Sequence, residues 1–445
     1  MIKETLLKSN PWWSTGKIQD HIPGIKRDAF YLLKQEFDKD RISAAVGPRR
    51  SGKTTIMYQL TDELLRSGVS PENILYVSFD YTRGSIEEVI ENYQELMTPS
   101  GRIFCFFDEI HNVPDWSLTL KNFYDFNKDF KFFISGSLST LLYSTTESLI
   151  GRIWFIPVPP MSFKEFIRIN YVNNVVIKEL ELFSNISIEK IEKIFSMEYE
   201  TLKVKSVLKP MLTEYILWGG FPEYLQKEYF IEEWQDYLRQ NFITLTLFKD
   251  ILTVYSVREP KVLEDLIYLI SEKQSLSLNY YSISRILQIN RETVANYFQY
   301  LKSAHLIIEA SYYAKNVSKK ILKEKKYYIA DTGLRNALLG ETMLGDEVLS
   351  RDIEGAVTAH LMGQESNVNT RLFYWKDKYE VDFIHGNIPI EVKFKNKVAL
   401  KELKGITRFM EQFKPKYGIV VTKDLLKMQD NIFFIPAWLF LVIFG

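Results

Sequence analysis

Apolar residues fall into two rhythms along this chain. Through the first 160 residues, short continuous runs alternate with helix-like stretches. The runs are Ile42–Val46, Ile74–Phe79, Ile103–Phe107, Phe132–Ile134 and Ile153–Val158. Each is short, unbroken and rich in β-branched or aromatic residues, as a strand buried on both faces must be. Their alternation with helical segments predicts βαβ units and a parallel sheet. A lead-in of residues 1–41 carries one expected helix, Asp28–Asp38, with Asp28 as N-cap or first-turn acid. Pro157, Pro159 and Pro160 close the pattern.

The second rhythm is mainly helical. Residues 161–260 read as helices with a break at Gly219-Gly220-Phe221-Pro222. Three helix-like segments follow, Val262–Glu272, Ser282–Leu287 and Arg291–Ser303, then a strand, Leu306–Glu309, and a basic hairpin-like stretch, Tyr312–Ile329. Three helices followed by a strand pair is the order of a winged helix. Residues 331–445 return to a mixed α/β pattern. The apolar run Ile432–Phe444 is shorter than a membrane span and contains Pro436, so it predicts a buried strand and short helix. The expected division is 1–160, a parallel-sheet core; 161–260, a helical lid or linker; 261–330, a winged helix; and 331–445, a further α/β domain. The fold class is α/β.

Composition changes this picture little. The chain has 445 residues, 46% hydrophobic and 25% charged, with a formal net charge of zero. That balance is globular and carries no global field for nucleic acid. From Ser311 onward, however, 21 Lys and Arg stand against 16 Asp and Glu, a mildly basic third that permits contact with nucleic acid. The single cysteine, Cys105, lies in an apolar run, so an intrachain disulfide and a cysteine metal cluster are excluded. A reducing cytoplasm is the expected location. The first residues lack the apolar core of a signal peptide, and no membrane partner is expected.

The chemistry starts at Gly47-Pro48-Arg49-Arg50-Ser51-Gly52-Lys53-Thr54, which fits the phosphate-loop pattern at every fixed position, between an expected strand and an expected helix, Thr54–Leu65. Backbone N–H groups and the helix N-terminus converge on phosphate. Lys53 is the candidate for the β/γ-phosphates and Thr54 for Mg²⁺. Gly47 through Thr55 form the candidate ATP site. The strand Ile103–Phe107 ends in Asp108-Glu109, and ionised carboxylates at the exit of a buried strand have no packing rationale. Asp108 is the candidate for the Mg²⁺ shell and Glu109 for activating water. Ser135 and Ser137, after the strand Phe132–Ile134, are candidates for contacting the γ-phosphate or the attacking water. Arg152 is a candidate finger arginine or a solvated strand-start residue. His111 reads as a packing or capping residue.

With GPRRSGKTT, FFDEIHNVPDW, FFISGSLSTLL, LIGRIWFIPVPPMSFKEF and GGFPEYL in view, the chain resembles archaeal and bacterial AAA+ ATPases that carry a C-terminal nuclease-like domain. The resemblance runs over nearly the whole chain. It implies a P-loop core with a helical lid, a winged helix and a C-terminal domain, and a sensor serine within Ser135-Gly136-Ser137. It leaves oligomeric state open, since AAA+ relatives form rings but this family need not.

The C-terminal segment FYWKDKYEVDFI, followed by PIEVK, resembles a PD-(D/E)xK nuclease core. Side chains alternate along a strand, so Glu391 and Lys393 share a face, and a turn at His385–Ile388 returns the second strand beside Asp382. Asp382 and Glu391 are candidate Mg²⁺ ligands, and Lys393 would position or deprotonate water. Glu354 matches the family's upstream acid. In the winged-helix region, Asn290 is the expected cap of Arg291–Ser303, whose outward face offers Arg291, Asn296, Gln299 and Lys302 to a groove. Lys315, Lys319, Lys320, Lys323, Lys325 and Lys326 make a basic wing. Asp331-Thr332-Gly333-Leu334 reads as a helix start. Two readings stay open: an Mg²⁺-dependent ATPase controlling a DNA-binding module, with or without DNA cleavage by it, or a slow nucleotide-gated switch that binds proteins and keeps an inactive nuclease-like scaffold.

Overall fold

The computed structural model describes residues 2–18, 24–137, 146–170, 180, 183, 186, 188–226, 229–314, 316, 323–363 and 371–445. It divides into two compact units, one up to Pro159 and one from Pro160 onward. The division expected from the chain had four parts; helices of 161–260 and strands of both later segments share one core in the second unit.

The first unit is a five-stranded parallel sheet. Its strands are β1 (Ile42–Val46), β2 (Ile74–Ser78), β3 (Ile103–Asp108), β4 (Phe130–Gly136) and β5 (Ile153–Pro157), in the order β2-β3-β4-β1-β5. Side-chain alternation sends residues to opposite faces. Ile42, Ala44, Val46, Leu75, Val77, Cys105 and Phe107 pack under α1 (Ile2–Ser9), α4 (Ile86–Leu96) and α5 (Trp116–Phe126). Ala45, Ile74, Tyr76, Phe104, Phe106 and Phe133 pack under α2 (Asp28–Lys34) and α3 (Lys53–Arg66). Helix α2 ends at Lys34 rather than Asp38, and Arg27 is its N-cap residue, which leaves Asp28 as a first-turn acid.

β2 is an edge of this sheet, and an unpaired edge invites another strand. A side chain closes part of it. Asn10 Nδ2 donates to Tyr76 O at 2.9 Å, while Tyr76 N donates to Asn10 Oδ1 at 2.7 Å. The indole N–H groups of Trp12 and Trp13 both donate to Ile74 O, at 3.1 and 2.9 Å.

The second unit opens with α6 (Phe163–Asn170), α7 (Glu198–Trp218), α8 (Ile231–Leu238), which continues through π-helical turns at Arg239–Thr244 and Thr246–Ile251, and α9 (Pro260–Glu272). Then come β6 (Ser277–Leu278), α10 (Tyr280–Leu287), α11 (Arg291–Ser303), β7 (Ile307–Tyr312), β8 (Lys325–Ile329), α12 (Thr332–Leu339) and α13 (Asp346–Gly363). The rest is β9 (Leu372–Lys376), β10 (Glu380–His385), β11 (Ile388–Lys393), α14 (Lys404–Phe413), β12 (Gly418–Thr422), β13 (Lys427–Gln429), β14 (Ile432–Pro436) and α15 (Ala437–Ile443). The nine strands make one mixed sheet, β13-β14-β12-β11-β10-β9-β7-β8-β6. Parallel pairing of β7 with β9 joins the two halves. The expected Ile432–Phe444 strand and helix are β14 and α15, whose apolar side chains are all buried.

Two sequence motifs meet here for packing reasons. Gly219 ends α7 with φ 81°, a conformation that favours glycine. A Cβ on Gly333 would stand 2.3 Å from Trp218 O. The buried Asp331 carboxylate accepts from Gly220 N at 2.7 Å and from Leu334 N at 3.0 Å. The Gly219-Gly220 break and the Asp331-Thr332-Gly333 helix start are therefore two halves of one backbone contact.

His360, buried on α13, ties that helix to α6. Its Nε2 accepts from Phe163 N at 2.9 Å, and Nδ1 lies 2.7 Å from Ala356 O. Those partners put the proton on Nδ1 and leave Nε2 as acceptor, so the neutral ring satisfies both contacts. Burial depresses its pKa to about 4. The unfolded chain, titrating near 6.5, then binds more protons between those values, so stability falls as pH drops from about 6.5 through 4. The stability of the second unit in urea should fall over that range by about 2–3 kcal/mol more in the parent than in His360→Gln. Equal slopes would remove His360 as an acid-sensitive contact.

Candidate nucleotide site and a second charged cluster

The loop after β1 owes its shape to close approach. Gly52 stands at φ 92° immediately before α3, and a Cβ on Gly47 would fall 2.0 Å from Val158 O. Arg27, buried before α2, donates from Nη1 to Ser51 O and to Pro159 O, each at 2.7 Å. It pins the loop to the end of β5. Nothing in the sequence pattern singled out Arg27; a cation just before a helix start is the wrong charge for that position, which is the one signal it offered.

Because β4 lies between β1 and β3, its C-terminal end stands between the loop and Asp108. Open α/β sheets gather ligands at such carboxyl ends. Lys53 is buried, and its Nζ donates to Gly47 O at 3.1 Å and Pro48 O at 2.9 Å, with Glu109 Oε1 3.9 Å away. Thr54 Oγ1 donates to Asp108 Oδ2 at 2.6 Å. Tyr76 OH, from β2, donates to the same oxygen at 3.0 Å. Ser135 donates to Asp108 Oδ1 and accepts from Glu109 N at 3.0 Å. Burial and the Asp108 charge hold the Tyr76 phenol far above its usual pKa, so it stays a donor.

Glu109 turns out of β3 at φ 53° and lies 3.3 Å from His111 Nδ1. Ser137 and Ser51 each have a buried hydroxyl oxygen with no partner among the described residues. Those orphaned oxygens, the folded-back Lys53 and the lone pairs left on the Thr54 hydroxyl fit a polyphosphate with its Mg²⁺. Arg152 pairs with Asp125 through two hydrogen bonds, 2.8 and 3.1 Å.

Residues 39–167 match a family described as an AAA domain. The first unit thus carries an AAA-type ATPase domain, the part of this chain that binds and hydrolyses nucleotide. Beyond the AAA domain, residues 209–344 and 352–440 match two families described as domains of unknown function (DUF8612 and DUF4143). An uncharacterized protein of Methanocaldococcus jannaschii is 25% identical over 432 residues, covering 92% of this chain and 88% of its own length. One of Haemophilus influenzae is 26% identical over 364 residues, covering 79% and 81%. Among solved structures, the Walker-type ATPase of Pyrococcus abyssi has TM-score 0.41 at 15% identity, over 73% of this chain and 97% of that one. The RuvB Holliday junction branch migration motor of Thermotoga maritima has TM-score 0.26 at 16% identity, over 63% and 85%.

A second charged cluster lies in the second unit. β10 bulges between Val381 and Ile384 against β9, and a bulge re-aims the side chains it carries. Asp382 sits in it, with Oδ2 accepting from Val392 N at 2.8 Å. Lys393 Nζ lies 2.5 Å from Glu391 Oε1, and Glu391 Oε2 is buried with no partner among the described residues. Glu354, on α13, accepts from Tyr328 OH at 2.9 Å. Burial, then the Asp382 charge, raises the Glu391 carboxyl to about 8 and that of Glu354 to about 7. Burial alone lowers the Lys393 ammonium, but Asp382 and Glu391 outweigh it and hold it above its usual range. Among the described residues, no three acidic, His or Cys groups stand close enough together to hold a metal ion.

One member of this cluster corrects an expectation. Lys326 does not project from a basic wing. It is buried on β8, paired with Glu380 and 4.0 Å from Asp382 Oδ1. Lys315, Lys319 and Lys320 lie outside the described residues, and Lys325 pairs with Glu309 at 3.0 Å. Strand β7 also runs further than expected, to Tyr312. On α11, Asn290 Oδ1 accepts from Thr293 N at 2.7 Å as the expected cap, and Arg291, Asn296, Gln299 and Lys302 are exposed.

Two outcomes follow from these contacts. Lys53→Ala should reduce ATP hydrolysis to background while the circular dichroism spectrum is unchanged; parental turnover would remove the loop lysine from the reaction. Lys326→Met removes the buried counter-charge from two half-buried carboxylates, Asp382 and Glu380, of which Glu380 keeps Lys376 at 3.0 Å, so the second unit should lose about 2 kcal/mol in denaturant. A loss below about 1 kcal/mol would mean the ion pair is solvated.

Proposed function

We propose that the protein is an Mg²⁺-dependent ATPase whose nucleotide cycle controls a DNA-binding and DNA-cleaving second unit. The observation that carries this is the convergence of Glu354, Asp382, Glu391 and Lys393, drawn from a helix and two strands, into one electrostatically coupled cluster. Perturbed carboxyls gathered around a lysine mark a functional site more often than a structural one.

In the AAA domain, Lys53 leaves its loop carbonyls to neutralise phosphate, Thr54 and Asp108 hold the cation, and Glu109 orients water. Ser135 couples the two acids, because it touches Asp108 through its hydroxyl and Glu109 through that residue's backbone N–H. Ser137 supplies a further hydroxyl. Mg²⁺ contributes charge neutralisation of the transferred phosphoryl group.

In the second unit, Asp382 and Glu391 would hold a divalent cation, for which the partnerless Glu391 Oε2 is a fitting donor, and the cation would polarise a phosphodiester. Lys393 positions the attacking water, and Glu354 on α13 completes the acidic cluster. The exposed face of α11 offers two cations and two amides to a groove, the first reading of a winged helix spanning roughly 261–330.

A second reading is a nucleotide-gated switch that binds proteins. The internal pairing of Lys393 with Glu391 and of Lys326 with Glu380 favours it, since a cluster that satisfies itself needs no cation. The test is cleavage of plasmid and linear DNA in Mg²⁺ or Mn²⁺, with and without ATP, by the parent and by Asp382→Ala. The nuclease reading expects cleavage that drops at least a hundredfold in the variant. Cleavage that survives the substitution places the activity elsewhere. Absence of cleavage in protein that hydrolyses ATP leaves the switch.

A further inference from the structure

We infer that Tyr76 is a positioning residue for the metal: its hydroxyl fixes Asp108 in the orientation that receives Mg²⁺ with nucleotide. The inference rests on the Mg²⁺ reading of the phosphate-loop site and extends it to a side chain on a neighbouring strand.

The geometry is specific. Asp108 Oδ1 is held by Ser135, and Oδ2 by Thr54 at 2.6 Å and Tyr76 at 3.0 Å. Of these donors, Thr54 and Ser135 have further work. Thr54 must present its oxygen to the cation, and Ser135 also carries Glu109 N. Tyr76, whose hydroxyl is also hydrogen-bonded to that of Tyr58 on α3, has no metal or nucleotide of its own to hold. It is buried in the middle of β2, and its ring packs on Tyr58 of α3, with centroids 4.5 Å apart. A ring wedged between sheet and helix offers the hydroxyl in one place, so Asp108 meets a fixed donor whether or not nucleotide is present. A buried tyrosine in an apolar strand needs a partner for its hydroxyl, and here the partner is the candidate metal carboxylate.

Tyr76 thus acts through Asp108, and its removal should weaken metal more than nucleotide. The experiment uses the full chain with a fluorescent ADP analogue, titrated in EDTA and then with Mg²⁺ at fixed analogue. Tyr76→Phe keeps the ring and removes one hydroxyl. Its affinity in EDTA should stay within about twofold of the parent, while the Mg²⁺ concentration giving the half-maximal response rises roughly tenfold, the scale of one hydrogen bond to a charged group.

An unmoved midpoint in Tyr76→Phe overturns the inference. So does an equal loss of affinity in EDTA, which would mean that the hydroxyl only supports the fold. Should Tyr76→Phe not fold, 3-fluorotyrosine placed at position 76 is the second probe. It strengthens the donor with almost no change in size and should lower the midpoint; a midpoint that stays put or rises overturns the inference. If the parent binds the analogue with no response to Mg²⁺, the metal reading of the site fails first, and that result is distinct from a Tyr76 effect of zero.

Discussion

Asp108 is a buried carboxylate at the C-terminal end of a buried strand, and the nucleotide site is arranged around satisfying it there. A carboxylate out of water is tolerated only when donors saturate it. Thr54, Tyr76 and Ser135 supply them from three different elements, α3, β2 and β4. That requirement explains why the loop after β1, the edge of β2 and the end of β4 have to meet, and why β4 runs between β1 and β3. Fixed donors also make the site stiff before any ligand arrives, which is what a metal-assisted phosphoryl site requires.

The same constraint governs the second unit, with a different solution. Its charges are neutralised mostly by one another. Arg335 and Asp352, both almost fully buried, pair at 2.6 Å between α12 and α13, and Arg335 also donates to Ser271 O. Lys326 brings a cation from β8 to Glu380 and Asp382 on β10, and Lys393 answers Glu391 on its own strand. Such pairs stabilise little beyond what desolvation costs, but losing one partner is expensive. They therefore specify how helices and strands dock more than how firmly they hold.

Much of the first unit was legible because its signals are local. The glycine-rich loop, the apolar run before it and the helix after it lie within about twenty-five residues, and each element depends on its own neighbours. Strand β3 announced Asp108 by the abrupt change from apolar to acidic. Tyr76 and Asn10 were not legible as a site and an edge cap. Asn10 and Tyr76 are 66 positions apart, and a tyrosine inside a buried strand reads as ordinary packing. Lys326 sat in a run of basic residues, where composition suggested solvent. Period-two alternation beside Tyr327 and Tyr328 was its only hint of burial.

The sequence by itself determined the P-loop turn, the α/β class, the helix starts at Asn290 and Asp331, and the terminal strand and helix, because these depend on short-range periodicity, turn chemistry and capping. Only the tertiary structure decided which strands are neighbours, that β7 and β9 unite two stretches into one sheet, and which buried charges answer one another. Sheet order and ion pairing depend on contacts between residues far apart in the chain. No local pattern encodes them, because their energy exists only once the elements that carry those residues have packed.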